Sequence, residues 1–253
     1  MNNRDQRPFD TGRLSVRIES KATFNSGLFI FDVKHAPFGC ALWPALWLTD
    51  RYHWPLNGEI DVLEGTNIKA GNQVTLHTTK GCEMNVRRKQ TGRVMEIDCY
   101  NGTKANVGCG IAGDDGTYGP DFNAAGGGLY ALELRDVGIR TWFFPRHAVP
   151  SELAISNLKA TSSPPDPSKW PGQPLADFPN TKCNIGNHFT NLSIIANIDL
   201  CGQWAGQDSD FIHKSGCPDT GPGSCDRYVK TQPGYEYDEA YWEFGGFWVF
   251  QAQ

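Results

Sequence analysis

A chain of 253 residues that is 39% hydrophobic and 20% charged has globular composition and is long enough for one large domain or two small ones. A net charge of −5, with no basic run longer than Arg87-Arg88-Lys89, argues against a phosphate-tracking surface and so against nucleic acid as a partner. The apolar stretches, such as 192–198, fall far short of the roughly 20 residues that span a bilayer, so no membrane is expected as a partner either.

Strand-like runs recur between turn signals at 13–20, 28–33, 41–48, 59–63 and 73–79, and no helical period competes with them. Farther on, 129–135 and 139–144 flank Asp136-Val137-Gly138 and read as a short-loop hairpin. Two more strands are expected at 192–200 and 241–250. The segment 162–179 is rich in proline but carries Trp170, Leu175 and Phe178, which need burial, so it reads as a long loop packed on a single domain. With 28 Gly and 16 Pro to shape turns, the strands predict an all-β fold of two stacked antiparallel sheets, a sandwich or jelly roll.

The cysteines number 8 and include no C-x-x-C pair, which favours disulfides over a zinc site and leaves their connectivity open. The sequons Asn101-Gly102-Thr103 and Asn191-Leu192-Ser193 fit passage through an oxidising secretory route. The opening residues Met1 to Phe9 have neither an apolar stretch nor a small-residue cleavage site, so no signal peptide is read there.

The most informative segment is Gly58-Glu59-Ile60-Asp61-Val62-Leu63-Glu64-Gly65. Three carboxylates inside an apolar strand are costly to desolvate unless the strand lines a water-filled cleft. In a regular strand Glu59 and Asp61 share a face and Glu64 points the other way; one extra residue near Val62 or Leu63 brings all three together. Glu59 and Glu64 then lie four strand steps apart, roughly 13 Å between Cα atoms, and the spacing permits either a retaining or an inverting glycosidase pair. A solvated acidic edge strand and a calcium-binding patch are the rival readings of the same residues.

The Glu59-x-Asp61-x-x-Glu64 pattern resembles the bulged signature of glycoside hydrolase family 16, in its fungal laminarinase-like branch. Further segments support the resemblance in the same order: 12–18, Trp43-Pro44-Ala45-Leu46-Trp47, Trp54-Pro55-Leu56-Asn57-Gly58, Thr75-Leu76-His77-Thr78, 142–146 and 201–206. It implies a concanavalin-like β-jelly roll, a secreted or cell-wall location, and a monomer that cleaves β-1,3 or mixed β-1,3/1,4 glucan internally with retention and without metal or other cofactor. Carried over by motif, Glu59 is the nucleophile, Glu64 the acid and base, and Asp61 the group between them that helps keep Glu59 ionised and Glu64 protonated. Trp43, Trp47, Trp54 and Trp204 are the expected sugar-stacking residues, with the core as the rival for each, whereas Trp142 and Trp248 read as core. His77 either faces the acids or is a hydrogen-bonded structural histidine.

The resemblance also carries two departures. Glu133-Leu134 stands where many relatives have Glu-Trp, which predicts the loss of one aromatic cleft wall. The family's chain is already several strands into its fold where Met1 begins, so 1–253 reads as a single catalytic domain without its opening strands, with exposed edges near 241–250. A glucan-binding protein, an inactive paralogue and a transglycosylase are the alternative functions.

Overall fold

The computed structural model describes residues 12–160 and 163–251. The reading of residues 1–9 therefore lies outside the described residues. Twelve strands form two wholly antiparallel sheets. In chain order they are β1 (Val16–Glu19), β2 (Gly27–His35), β3 (Leu42–Thr49), β4 (Glu59–Glu64), β5 (Gly71–His77), β6 (Arg93–Val94), β7 (Cys109–Asp115), β8 (Gly128–Arg135), β9 (Gly138–Pro145), β10 (Ala176–Pro179), β11 (Ser193–Leu200) and β12 (Glu243–Phe250). The seven-stranded sheet runs β1-β11-β3-β4-β5-β7-β6 and the five-stranded sheet β10-β9-β8-β2-β12, the jelly-roll sandwich expected from the strand pattern.

Period-two alternation decides what each sheet buries. Phe29, Phe31 and Val33 of β2 point into the main core with Leu46 and Leu48 of β3, Ile60, Val62 and Leu63 of β4, and Tyr130, Leu132 and Leu134 of β8. Their neighbours Leu28 and Ile30 face the other way and pack with Leu129, Trp142, Phe144 and Trp170 in a second layer on the outside of the five-stranded sheet. This double burial explains why β2 is apolar at consecutive positions. Truncating fully buried Phe31 to alanine is worth about 3–5 kcal/mol.

Trp170, Leu175 and Phe178 are all buried, so the proline-rich segment does pack on the same domain, and its end forms β10 at the sheet edge. The hairpin turn is tight, with Arg135 paired to Gly138. Trp142 is buried in the outer layer as expected, and Trp248 is half-buried and packs against it. Leu134 corrects the expectation of a lost cleft wall: it is 1% exposed in the core of the opposite sheet, while Glu133 pairs outward with Arg140, so neither borders the acids. At the sandwich edges, Val16 and Ile18 on β1 and Phe247 on β12 are exposed.

Four disulfides join Cys40 to Cys217, Cys82 to Cys183, Cys99 to Cys109 and Cys201 to Cys225, which resolves the open connectivity. Two of them pin the 201–240 segment, whose Phe211, Tyr228 and Tyr237 pack with Leu42 and Ile198 at one end of the large sheet.

Candidate active site

Strand β4 lies near the middle of the seven-stranded sheet, between β3 and β5. Against β3, Leu46 pairs with Leu63 and Trp47 with Asp61, which leaves Val62 as an extra residue; against β5, Asp61 pairs with Thr75 and Glu64 with Gln73. This is the one-residue bulge that the sequence required, and it turns Glu59, Asp61 and Glu64 onto one face while Ile60, Val62 and Leu63 are fully buried on the other. Asn72 holds the bulge from β5: its Oδ1 accepts from the Glu64 backbone N–H at 2.8 Å and its Nδ2 donates to the Val62 carbonyl at 2.9 Å. Asn72 itself is 1% exposed, and its own N–H donates to Thr117 Oγ1 at 2.9 Å. Nothing in the sequence marks it, because an asparagine at a strand entrance reads only as a turn residue.

Gly58 starts the strand. Its φ is +73°, and a Cβ there would lie 2.4 Å from the His188 carbonyl oxygen, so only glycine lets the chain enter β4 at this point. The Gly58 carbonyl accepts from Thr49 Oγ1 at 2.7 Å, directly beside Glu59.

The other anticipated residues gather around the acids. His77, the cross-strand partner of Glu59, sets its Nε2 3.5 Å from Asp61 Oδ2 and 3.8 Å from Glu59 Oε1. Its Nδ1 lies 3.0 Å from Asn106 Oδ1, an acceptor, so Nδ1 carries a proton and Nε2 faces the carboxyl groups. Trp43 Nε1 donates to Glu64 Oε1 at 2.7 Å. Trp47 donates to Asn197 Oδ1 at 2.7 Å, and the Arg17 guanidinium sits 4.8 Å over its ring. Trp204 meets Trp43 edge to face at 5.8 Å and lies beneath the Lys69 ammonium, which Asp210 holds at 2.7 Å. Trp54, 40% exposed, stands at the Glu59 end, where it and Arg17, Glu19, Trp47 and Arg51 bound a cavity of about 650 Å³ with Glu59. Asn72, Asn106, Asn197 and Lys69 are the neighbours that sequence reasoning missed. Their partners lie on other strands or loops, so no local spacing reveals them. A separate polar depression of about 720 Å³ beside the β8–β9 turn contains none of the acids.

Burial is the main influence on the three carboxyl groups, pushing Glu59, Asp61 and Glu64 each up to about 8. The charge of Asp61 raises both glutamates, so it does not by itself separate an ionised Glu59 from a protonated Glu64, as the motif had implied. Both glutamates are raised alike, and smaller influences act on each. The Glu59 side chain retains 14% exposure against 4% for Asp61, and His77 and the Trp54 indole favour its anion. Trp43, His77 and Lys69 pull Glu64 down in turn, but less than its burial and Asp61 raise it. The cluster therefore retains protons at neutral pH, which suits a site that needs an acid beside a carboxylate. Asp61 Oδ2 is buried and accepts no hydrogen bond, with His77 Nε2 facing it at 3.5 Å. Glu59, Asp61 and His77 also offer ligand atoms within 4.8 Å of one another, the arrangement among the described residues that suits a metal ion.

An aromatic-bordered face of a jelly-roll sheet, with three acids on one bulged strand, defines the class of protein. The family model described as XgeA-like, catalytic GH16 domain matches residues 1–250, and the chain belongs to glycoside hydrolase family 16. It is 42% identical over 247 residues to a probable glycosidase of Schizosaccharomyces pombe, covering 96% of this chain and 55% of that protein. It is 40% identical over 246 residues to an endo-1,3(4)-beta-glucanase of Arthroderma benhamiae, covering 95% of this chain and 51% of that protein. The chain thus spans about half the length of these curated relatives. Among solved structures it is similar to the GH16 laminarinase 16A of Phanerochaete chrysosporium, seen with beta-glucans in donor and acceptor sites (TM-score 0.85, 43% identity, 93% of this chain and 76% of that one). It is also similar to an elongating GH family 16 beta-1,3-glucosyltransferase (TM-score 0.84, 36% identity, 96% of this chain and 80% of that one).

Proposed function

We propose that this chain is a retaining endo-β-glucanase acting on β-1,3 and mixed β-1,3/1,4 glucans. The observation that carries the reading is the bulged strand itself: Glu59, Asp61 and Glu64 on one face, with Trp43 donating to Glu64 and His77 opposite Glu59. The similarity to endo-1,3(4)-beta-glucanases and to laminarinase 16A supplies the substrate class.

In the first step a Glu59 carboxylate oxygen attacks the anomeric carbon while the Glu64 proton passes to the glycosidic oxygen. The C–O bond breaks, and its electron pair leaves with the departing chain. Glu64, now a carboxylate, takes a proton from water, whose oxygen attacks the same carbon and releases Glu59. Asp61, buried between the two, raises both glutamates and so helps to keep the Glu64 proton in place. Trp43, Trp47, Trp54 and Trp204 offer apolar faces to successive rings, and His77 sets its Nε2 against the acids at the floor. Every step is carried by side chains of this chain, without a metal or other cofactor.

Interception of the intermediate by a sugar hydroxyl gives transglycosylation, and the likeness to the elongating glucosyltransferase favours testing for it. The eight paired cysteines support an oxidising, extracellular or cell-wall location. Among the described residues no helix is long and apolar enough to cross a membrane. We propose a monomer whose partner is the glucan, with no nucleic acid or membrane bound.

The test is reducing-sugar release from laminarin and lichenan, beside Glu59→Gln, with near-ultraviolet circular dichroism to verify folding. Activity that disappears in Glu59→Gln, with a first product of β configuration by proton NMR, is expected. A folded, inactive parent that binds laminarin refutes catalysis in favour of a binding protein, and longer products replacing shorter ones favour the transferase reading.

A further inference from the structure

Strand β3 ends at Thr49, and the next residue, Asp50, is 3% exposed yet belongs to none of the cleft machinery. Its carboxylate accepts four hydrogen bonds: from the Tyr52 backbone N–H at 3.0 Å, His53 Nδ1 at 2.8 Å, Asn57 Nδ2 at 2.8 Å and Asn191 Nδ2 at 2.9 Å. Three of these donors lie in the loop that carries Trp54, and the fourth reaches across from the start of β11. Burial alone raises Asp50, but the bonds from Asn191, His53, Tyr52 and Asn57 outweigh it and hold the group well below the usual carboxylate range, so it stays charged.

Beyond Asp50 the loop is tied outward by bonds from the Thr190 N–H to Asn57 O, from Thr49 Oγ1 to Gly58 O and from Arg51 to Glu19, none of which holds Tyr52, His53 or Trp54. Its internal backbone bonds are His53 N–H to Asp50 O, Asn57 N–H to His53 O and Gly58 N–H to Pro55 O, each at 3.1 Å, and Tyr52 and Leu56 are exposed at 76% and 59%. An exposed loop of this kind wanders unless a buried group gathers it. The loop sends Arg51 and Trp54 to the cavity that Glu59 borders, and of the two it is Trp54 that favours the Glu59 anion by a side-chain hydrogen bond, for which its indole N–H is the donor.

We propose that Asp50 is a positioning residue for the nucleophile, gathering loop 51–58 so that the Trp54 indole is held against Glu59. The inference rests on the reading of Glu59 as nucleophile. Asp50 touches no substrate and acts through Trp54. Glu59 also faces Asp61, Glu64 and His77 and shares its cavity with Arg17, Glu19 and Arg51; of these only Arg51 belongs to the gathered loop, and the Trp54→Phe arm of the experiment separates its influence from that of the indole.

The experiment uses a 2-deoxy-2-fluoro laminaribiosyl fluoride with the whole chain. A Glu59 oxygen bonds to the anomeric carbon as fluoride leaves with the C–F electron pair, so labelling reports the nucleophile without needing Glu64 as acid. Asp50→Asn is expected to label about tenfold or more slowly and to move the acidic limb of kcat/KM upward, because Glu59 loses its donor. Trp54→Phe keeps a ring but no N–H and is expected to move the same limb in the same direction. Adding Asp50→Asn to Trp54→Phe then moves it no further. Asp177→Asn, which removes a buried hydrogen-bonded acid from the opposite sheet, is expected to lower stability with labelling and limb unmoved.

Asp50→Asn labelling at the parental rate with an unmoved limb overturns the proposal, as do limb shifts that add fully in the double variant. Should Asp50→Asn not fold, Asn57→Ala removes one donor from the same carboxylate and enters the same cycle, where a slower label with a raised limb supports the proposal and parental behaviour overturns it. A parent that folds but is not labelled at Glu59 by peptide mass overturns the nucleophile reading and this one together, whereas a labelled parent with an indifferent Asp50→Asn overturns this one alone.

Discussion

Replacing Asn72 with alanine tests whether the bulge in β4 is held from β5. The substitution removes the acceptor of the Glu64 N–H, at 2.8 Å, and the donor to the Val62 carbonyl, at 2.9 Å. Both backbone groups are buried, and each orphaned group costs about 1–3 kcal/mol, so the sum is about 2–6 kcal/mol against a typical domain stability of about 5–15 kcal/mol. The loss also falls on geometry. Without Asn72 the extra residue is left with only the flanking Asp61–Thr75 and Glu64–Gln73 pairs, and a displacement of Glu64 by about 1 Å is enough for roughly a hundredfold loss of turnover. Asn72→Asp separates the two bonds: it still accepts from Glu64 but presents a second acceptor to the Val62 carbonyl, beside a carboxyl group already raised by negative charge. Urea unfolding followed by tryptophan fluorescence, with laminarin hydrolysis on the same samples, gives both readouts. We expect both variants to unfold at lower urea, with turnover falling further than stability explains. An Asn72→Ala chain within about 0.5 kcal/mol of the parent and at parental turnover refutes the reasoning.

Other consequences follow from the acids. Glu64 is raised to about 8, so its proton persists through neutrality and is lost above it; kcat/KM on laminarin is expected to fall on the alkaline side with a midpoint near 8, and a midpoint near 5 contradicts that protonation. Trp43→Phe removes the N–H that favours the Glu64 anion, which raises Glu64 further; the alkaline limb should move up by about one pH unit while kcat drops, and a downward shift refutes the assignment. The same elevation has a stability cost. A carboxyl whose folded pKa lies near 8 and whose unfolded pKa lies near 4.3 contributes stability that is fully present below about 4 and lost as pH rises through 8. Glu64→Gln should therefore flatten the pH dependence of the melting temperature and be more stable than the parent at pH 8.5 by about 1–3 kcal/mol, measured by calorimetry, while the proposed role of Glu64 predicts loss of its activity. A variant less stable than the parent at pH 8.5 contradicts the linkage.

The parts of the molecule that could be read from sequence were those set by short-range rules. Alternation placed most strands, and the odd offset between Glu59 and Glu64 required a bulge because no regular strand puts both on one face. Strand β7 escaped notice because Cys-Gly-Ile-Ala-Gly-Asp-Asp has little β-branched character, and its pairing comes from β5 alongside. Strands β6 and β10, of two and four residues, are too short to show a period. Leu134 misled for a different reason: a motif comparison gives a position in the chain but not the face of the sheet on which it lies. Asn72, Asn106 and Asn197 were invisible because a polar side chain acquires its meaning only from the group it meets across the fold.

The disulfides carry a final consequence. Each has at least one end in a connecting segment rather than in the stacked strands, and together they tie 78–109 and 201–240 to the sandwich. Those segments bring Asn106 to His77 and Trp204 to Trp43. The packed layers close by burial of apolar surface, while the walls of the cleft close by covalent bonds. On the proposed function, a reducing environment is expected to act on the two unequally, loosening the cleft walls before the packed layers. On that reading redox surroundings become a condition of the activity, and oxidation of the chain also completes its cleft.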